Sequence, residues 1–538
     1  MRISLYPLLC VATAVTALAG CSTTGQSVAA AGPNGPIIDR SILEMRHELD
    51  TGQTSSVALV KAYLARIDAV DRHGPQLRSV LATNPDALRQ AQQLDEELKQ
   101  RGPRGPLHGI PILLKDNIES ADPLPTTAGS LALAHNLTQR DAPIVANLRA
   151  AGAIILGKTN LSEWANFRST HSISGWSGMG GLTKNPHVLD RSACGSSAGS
   201  GSATAAGLAA ASVGTETDGS ITCPSALNGV VGLKPTAGLL SGQYIVPIAH
   251  SQDTAGPMTR SVSDAAVMLA AMVGDPAACR QRAADCKITD YAAGLSTQSL
   301  RNKRIGVLHF AAGQWPAIEP IYAQALEKLR AAGATLIDVT LPDTSRVGAA
   351  ERIVLDTEFK ADLNAYLATT PATVTTRTLA QLIEFNAGSA RETVLFGQEI
   401  FTRANATAGV DDPAYKTALA DSKRLAGPEG LLALLKGQQL DFLVAPTTGT
   451  AWRIDSVNGD QSSGSFSSLP AVSGYPHLTV PMGSLHDLPL GMSFIGAPWS
   501  EGLLLSAGYA FEQLGKGRVI PAFRESVETH VPGFDRPQ

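Results

Sequence analysis

The chain has 538 residues, a formal net charge of −4, 44% hydrophobic residues and 17% charged residues. That balance is globular rather than disordered, and without a Lys/Arg-rich run it carries no electrostatic footprint for nucleic acid. Length alone favours two domains, but no composition break, internal repeat or heptad pattern divides the body, so one large domain is predicted.

The chain opens with Arg2, an apolar run from Ile3 to Leu18, and then Leu18-Ala19-Gly20-Cys21. The run is short for a membrane span and ends on small residues, as cleavable export signals do. The ending resembles a bacterial lipoprotein box, which implies that residues 1–20 are removed and Cys21 is lipidated. The alternative is an ordinary secretory signal with Cys21 incidental. With Ser22 next, the resemblance implies an exported, periplasm-facing protein anchored in the outer membrane. Residues 21–36, rich in Gly, Ala, Ser and Thr, read as a flexible tether, and 37–538 as the folded domain.

Asp39 to Arg72 carries two amphipathic helical patterns and Asp86 to Arg101 a third, polar one. Leu107 to Leu114 is a strand-like apolar run ending on Lys115-Asp116-Asn117, an unusual place for lysine, which is seldom buried unpaired. Helix and strand then alternate: a helix at Ala142–Ala151, a strand at Ile154–Leu156, a helix at Ser261–Val273, a strand at Arg304–Leu308, a helix at Glu319–Ala332 and a strand at Thr335–Val339. Residues 349–406 read as a helical insertion or lid; Phe442–Pro446 and His477–Pro481 return to strand, with a Gly/Ser-rich loop at Asn458–Ser468 between them. Such alternation predicts an α/β fold: a mixed, largely parallel twisted central sheet covered by helices on both faces.

Six cysteines sort by compartment. Cys10 leaves with the signal, and Cys194 and Cys223 read as small buried residues. Cys279 and Cys286 flank a polar loop and are predicted to form a disulfide in an oxidising environment.

Ser192 to Thr236 is built largely of Gly, Ala, Ser and Thr. Such text can be a flexible linker, but Ala203–Ala211 is helix-favouring and Val230-Val231-Gly232-Leu233 reads as buried strand. The eleven histidines form no His-Glu-x-x-His pattern, there is no paired Cys-x-x-Cys, and no phosphate loop is present, so neither a metal nor a nucleotide cofactor is expected. Serine chemistry has two candidates. Gly195-Ser196-Ser197-Ala198-Gly199 fits the Gly-x-Ser-x-Gly elbow centred on Ser197, but an elbow needs a strand directly before it, and Asn185–Arg191 reads as a loop. The other is Gly214-Thr215-Glu216-Thr217-Asp218-Gly219-Ser220, a turn of small residues presenting one serine beside several backbone amides.

Three pieces in order resemble the amidase signature family: Gly109-Ile110-Pro111 leading to Lys115-Asp116-Asn117, Gly195 to Ser200, and Thr217-Asp218-Gly219-Ser220-Ile221. The resemblance runs over about residues 40 to 515. It implies a hydrolase of carboxamide C–N bonds with Ser220 as nucleophile, Ser196 as a bridging serine held by a cis peptide after Gly195, and Lys115 as base. The backbone N–H groups of Thr217, Asp218, Gly219 and Ser220 would form the oxyanion hole. The variant Asp218-Gly219-Ser220-Ile221-Thr222-Cys223-Pro224 looks most like the bacterial peptide amidases, which implies removal of the C-terminal amide nitrogen from peptides. Trp176, Met179 and Ser197 are candidates for substrate contact. A monomer needing no partner beyond substrate and lipid is expected. The alternatives are a general aliphatic or aryl amidase, a tRNA-linked amidotransferase role, and a non-catalytic peptide-binding lipoprotein.

Overall fold

The computed structural model describes residues 31–32, 35–36, 39–282, 286, 290–310, 314–341, 345–462, 464–515 and 517–529. The signal segment, Cys21 and nearly all of the tether lie outside the described residues. Within them, no helix is long and apolar enough to cross a membrane.

Eleven strands form one sheet. In chain order they are β1 (Val80–Thr83), β2 (Pro111–Lys115), β3 (Ile154–Thr159), β4 (Ala211–Glu216), β5 (Val231–Lys234), β6 (Thr254–Thr259), β7 (Arg304–Val307), β8 (Thr335–Asp338), β9 (Phe442–Pro446), β10 (His477–Leu485) and β11 (Leu488–Ile495). Their spatial order is β8-β7-β9-β11-β10-β5-β6-β4-β2-β3-β1. The expected mixed α/β sheet is present. Parallel pairing joins β8, β7 and β9 on one side and β4, β2 and β3 on the other. These are the regions where helices alternate with strands in sequence, as parallel crossovers require. Between the two groups the pairing is antiparallel, carried by the closely spaced β10–β11 hairpin and by β5 and β6.

Helices cover both faces. Gly508 of the helix Glu501–Gln513 sits over Leu478 and Val480 of β10. Ala226 of the helix Thr222–Leu227 lies against Gly491 on the opposite face, beside Thr479. Neighbouring residues of a strand point to opposite faces, so these contacts define two helical layers around a buried sheet.

Where the sequence predicts a helical insertion over 349–406, the chain carries the helices Ser345–Ala368, Leu379–Ala387, Glu399–Asn405 and Pro413–Ala426. Phe359 and Phe401 stack in it, with ring centroids 5.2 Å apart, and Trp164 meets Phe401 edge-on. Val246, Ile248 and Ala249 join the same apolar cluster, so the insertion packs onto the chain that leads into β6.

Two sequence expectations change here. Ala203–Ala211 is not one helix: the helix spans Ala198–Ala205, Gly207 turns the chain at φ +67°, and Ala211 begins β4. Nor are Cys194 and Cys223 separate buried thiols; they are joined as a disulfide. Cys279 and Cys286 are also bonded.

Candidate active site

Two neighbouring parallel strands set the site. β2 ends on Lys115 and β4 ends on Glu216, so both open at the same edge of the sheet. Lys115 is fully buried. Its Nζ donates to Ser196 Oγ at 2.7 Å, to Thr215 Oγ1 at 2.8 Å and to Thr215 O at 3.2 Å. Burial pulls its pKa down from 10.5 to about 7, against the opposing charges of Asp253 and Glu216. A lysine in that state is half neutral near pH 7 and can take a proton from a hydroxyl. The next two residues are also fixed in place. Asp116 accepts both the N–H and the hydroxyl of Thr127, and Lys158 Nζ lies 3.4 Å from its carboxylate. Asn117 Nδ2 donates to Thr215 Oγ1 at 2.9 Å.

Ser196 follows a cis peptide bond after Gly195, and its carbonyl accepts from Ser162 N–H at 3.0 Å. Ser220 lies on the turn between β4 and the helix Thr222–Leu227. Glu216 shapes that turn: its Oε2 accepts the N–H of Ile221 at 2.8 Å and of Thr222 at 2.9 Å. Asp218 is held from the Gly/Ser-rich loop, accepting from the hydroxyls of Ser467 and Ser468. Gly219 has φ +78°, and a Cβ there would stand 3.0 Å from Ser467 Oγ, so glycine suits both the backbone and the space.

The turn leaves the N–H groups of Thr217, Asp218, Gly219 and Ser220 without acceptors among the described residues. The Ser220 hydroxyl has no hydrogen-bond partner among them either. The Lys115–Ser196 contact is thus closed, while the two serine segments meet through backbone, Ser197 N–H to Ser220 O at 3.2 Å. The Cys194–Cys223 disulfide bonds the same two segments two residues before Ser196 and three after Ser220.

A cavity of about 320 Å³ opens beside Thr215 and Thr217, with Leu240, Ile245, Val246 and Ile248 among its apolar lining residues. Asp253 lines it too. Its carboxylate accepts from the Thr217 hydroxyl and from the N–H groups of Ile248 and Ala249, and burial raises its pKa to about 6. His250 and Asp362 of the lining, with the buried Glu358, come within metal-ligand spacing. Their atoms are already engaged: Glu358 accepts from Tyr415 and Ser251, and Asp362 from the His250 N–H.

The family model described as "Amidase" matches residues 58–505. The chain belongs to the amidase family. A probable amidase of Arabidopsis thaliana is 39% identical over 90% of this chain and 92% of its own length. A putative amidase of Arthroderma benhamiae is 35% identical over 86% of this chain and 79% of its own. The solved structure of native peptide amidase from Stenotrophomonas maltophilia is 51% identical, with a TM-score of 0.85 over 90% of this chain and 99% of that one.

In this amidase the three residues suggested for substrate contact do not line the cavity beside Thr215. Trp176 packs edge-on against Phe396 at 5.2 Å, with Arg168 over its ring. Met179 is tied to Gly129 through its backbone. The fully buried Ser197 hydroxyl donates to Thr215 O at 3.0 Å and accepts from Thr215 N–H at 3.2 Å. It stitches the two serine segments together, and no strand precedes it as an elbow would need. Asn117, Thr215, Glu216 and Asp253 hold positions in the site that the motifs alone do not assign to them. For the first three, the signal in the sequence was position, next to Lys115 and just before the Asp-Gly-Ser turn.

Proposed function

We propose that this amidase cleaves carboxamide C–N bonds with Ser220 as nucleophile, Ser196 as bridging serine and Lys115 as base. The observation that carries the reading is the 2.7 Å Lys115–Ser196 contact beside a turn with four unpaired N–H groups among the described residues. Ser220 Oγ attacks the amide carbon and its proton passes by way of Ser196 to Lys115. The N–H groups of Thr217, Asp218, Gly219 and Ser220 receive the developing oxyanion, the largest single contribution in many acyl transfers. The proton then returns through Ser196 to the departing nitrogen, releasing ammonia, and water hydrolyses the acyl-enzyme with the same relay.

The substrate class we propose is the C-terminal amide of peptides. Support comes from the 51% identity to a peptide amidase and from the apolar cavity beside the turn, suited to a side chain next to the scissile carbonyl. We propose further that Cys21 is lipidated after removal of 1–20 and that the enzyme works as a monomer on the periplasmic face of the outer membrane. The Leu18-Ala19-Gly20-Cys21 ending supports this location.

The test is ammonia release from C-terminally amidated peptides by Ser220→Ala and Ser197→Ala proteins. Loss in the first with retention in the second is expected. Retention in Ser220→Ala, or loss only in Ser197→Ala, refutes the assignment. A clear preference for small aliphatic amides over peptide amides refutes the substrate class.

A further inference from the structure

Asn117 has a feature that the proposed chemistry leaves unused. It lines the cavity and is 3% exposed, yet its carbonyl oxygen Oδ1 has no hydrogen-bond partner among the described residues. A buried acceptor without a partner costs free energy, and native structures keep few of them. The amide group is fixed rather than free to turn away. Its Nδ2 is committed to Thr215 Oγ1 at 2.9 Å, the same oxygen that takes Lys115 Nζ at 2.8 Å. The unpaired acceptor therefore sits on the base side of the site, while the unpaired N–H donors are on the Thr217–Ser220 turn.

That division of donors and acceptors matches the two ends of a scissile carboxamide. Its oxygen must face the N–H groups of the turn. Its nitrogen must face the relay, because it leaves with a proton delivered through Ser196 and Lys115. A primary carboxamide nitrogen carries two N–H donors, and Asn117, which lines this side of the cavity, holds a buried acceptor without a partner among the described residues.

We infer that Asn117 Oδ1 accepts a hydrogen bond from the leaving –NH2 of the substrate, orienting that nitrogen towards the proton relay and selecting amides over esters. The inference rests on the triad reading above. It concerns the leaving group only and is independent of what the acyl portion is.

The experiment uses an N-acylated amino-acid primary amide as substrate and the methyl ester of the same acyl group as competitor, with wild-type and Asn117→Ala enzyme. The ester has the same acyl portion but no N–H on its leaving group, and it reports binding as a competitor whether or not it is cleaved. Asn117→Ala should lower kcat/KM for the amide about 5- to 10-fold, the size of one lost hydrogen bond. The inhibition constant of the ester should stay within about twofold. A purely structural role for Asn117, acting through Thr215 and Lys115, would slow the chemical step without changing ligand preference, so binding is also read in a Ser220→Ala background. There Asn117→Ala should weaken the amide and leave the ester within about twofold, and an unchanged ratio of the two dissociation constants overturns the inference. So does an amide kcat/KM that does not change. Absence of ammonia release by the wild-type enzyme would instead sink the proposed function, so the two failures are distinguishable.

Discussion

Replacing Lys115 by methionine should leave a protein that is inactive and, below neutral pH, more stable. Burial sets the Lys115 pKa near 7 against 10.5 for the free side chain. At about 1.4 kcal/mol per unit, holding the ammonium in this site in acid costs about 5 kcal/mol. Methionine fills similar space without charge, but it removes the hydrogen bonds from Lys115 to Ser196 Oγ, Thr215 Oγ1 and Thr215 O, a loss of about 1 kcal/mol each, although the two Thr215 oxygens keep Asn117 Nδ2 and the Ser197 hydroxyl as donors. The balance is about 2 kcal/mol in favour of Lys115→Met at pH 6, or about 2 °C in thermal midpoint for a chain of this size. The sign reverses with pH. Between pH 7 and 10.5 the unfolded chain binds the lysine proton and the folded one does not, so the contribution of Lys115 to wild-type stability climbs through that window and is flat below it. Calorimetry of both proteins at pH 6, 8 and 10 should show the advantage of the variant shrinking and then inverting. Meanwhile kcat for amide hydrolysis should fall by about 10⁴-fold or more, and the wild-type pH–rate profile should show its acid limb near pH 7. A variant less stable than wild type at pH 6, a margin that ignores pH, or a kcat within about tenfold of wild type would refute the reasoning.

Gly219→Ala places a Cβ 3.0 Å from Ser467 Oγ at a φ of +78°. Moving the turn should cut kcat/KM by about 10- to 100-fold with a thermal midpoint near that of wild type; unchanged kinetics would mean that the turn amides do not bind the oxyanion. The Cys194→Ala/Cys223→Ala protein should lose about 10- to 100-fold in kcat, because displacements on the scale of an ångström at a reacting centre cost that much. Dithiothreitol treatment should reproduce the loss, and Cys279→Ala/Cys286→Ala should stay within about twofold of wild type. Equal behaviour of the two cysteine pairs would remove the catalytic importance of the first.

The parts of this architecture that are local in sequence were legible. The helices from Asp39 to Arg101 and the βα alternation follow from short-range patterning, and so does the strand that ends on Lys115, although it begins at Pro111 rather than at Leu107. What depends on pairing across the chain was not. The antiparallel centre of the sheet brings β5 beside β10, strands separated by more than 200 residues, and no local pattern encodes that choice. Cys194 and Cys223 look like small apolar residues in an Ala/Gly stretch, and only the fold closes the 29-residue gap between them. Trp176 was attractive because it is large and lies upstream of Ser196, but it is spent on Phe396 and Arg168 of its own layer. The cavity wall at Leu240–Ile248 carried no signal beyond hydrophobicity.

Polar contacts between the wall and the insertion gather at its end: Asp362 meets the His250 N–H and ring, Glu358 the Ser251 N–H, Lys423 the Ser251 carbonyl, and Glu351 the Gln252 amide. Lys115, Ser196 and Ser220 come from a different part of the chain, on strands and turns that the insertion does not build. On the proposed assignment, bond-making and the fit of the acyl side chain are therefore written in separable text. A library confined to 238–250 and to the insertion face that holds it can be screened for altered substrate range with the reacting groups left intact.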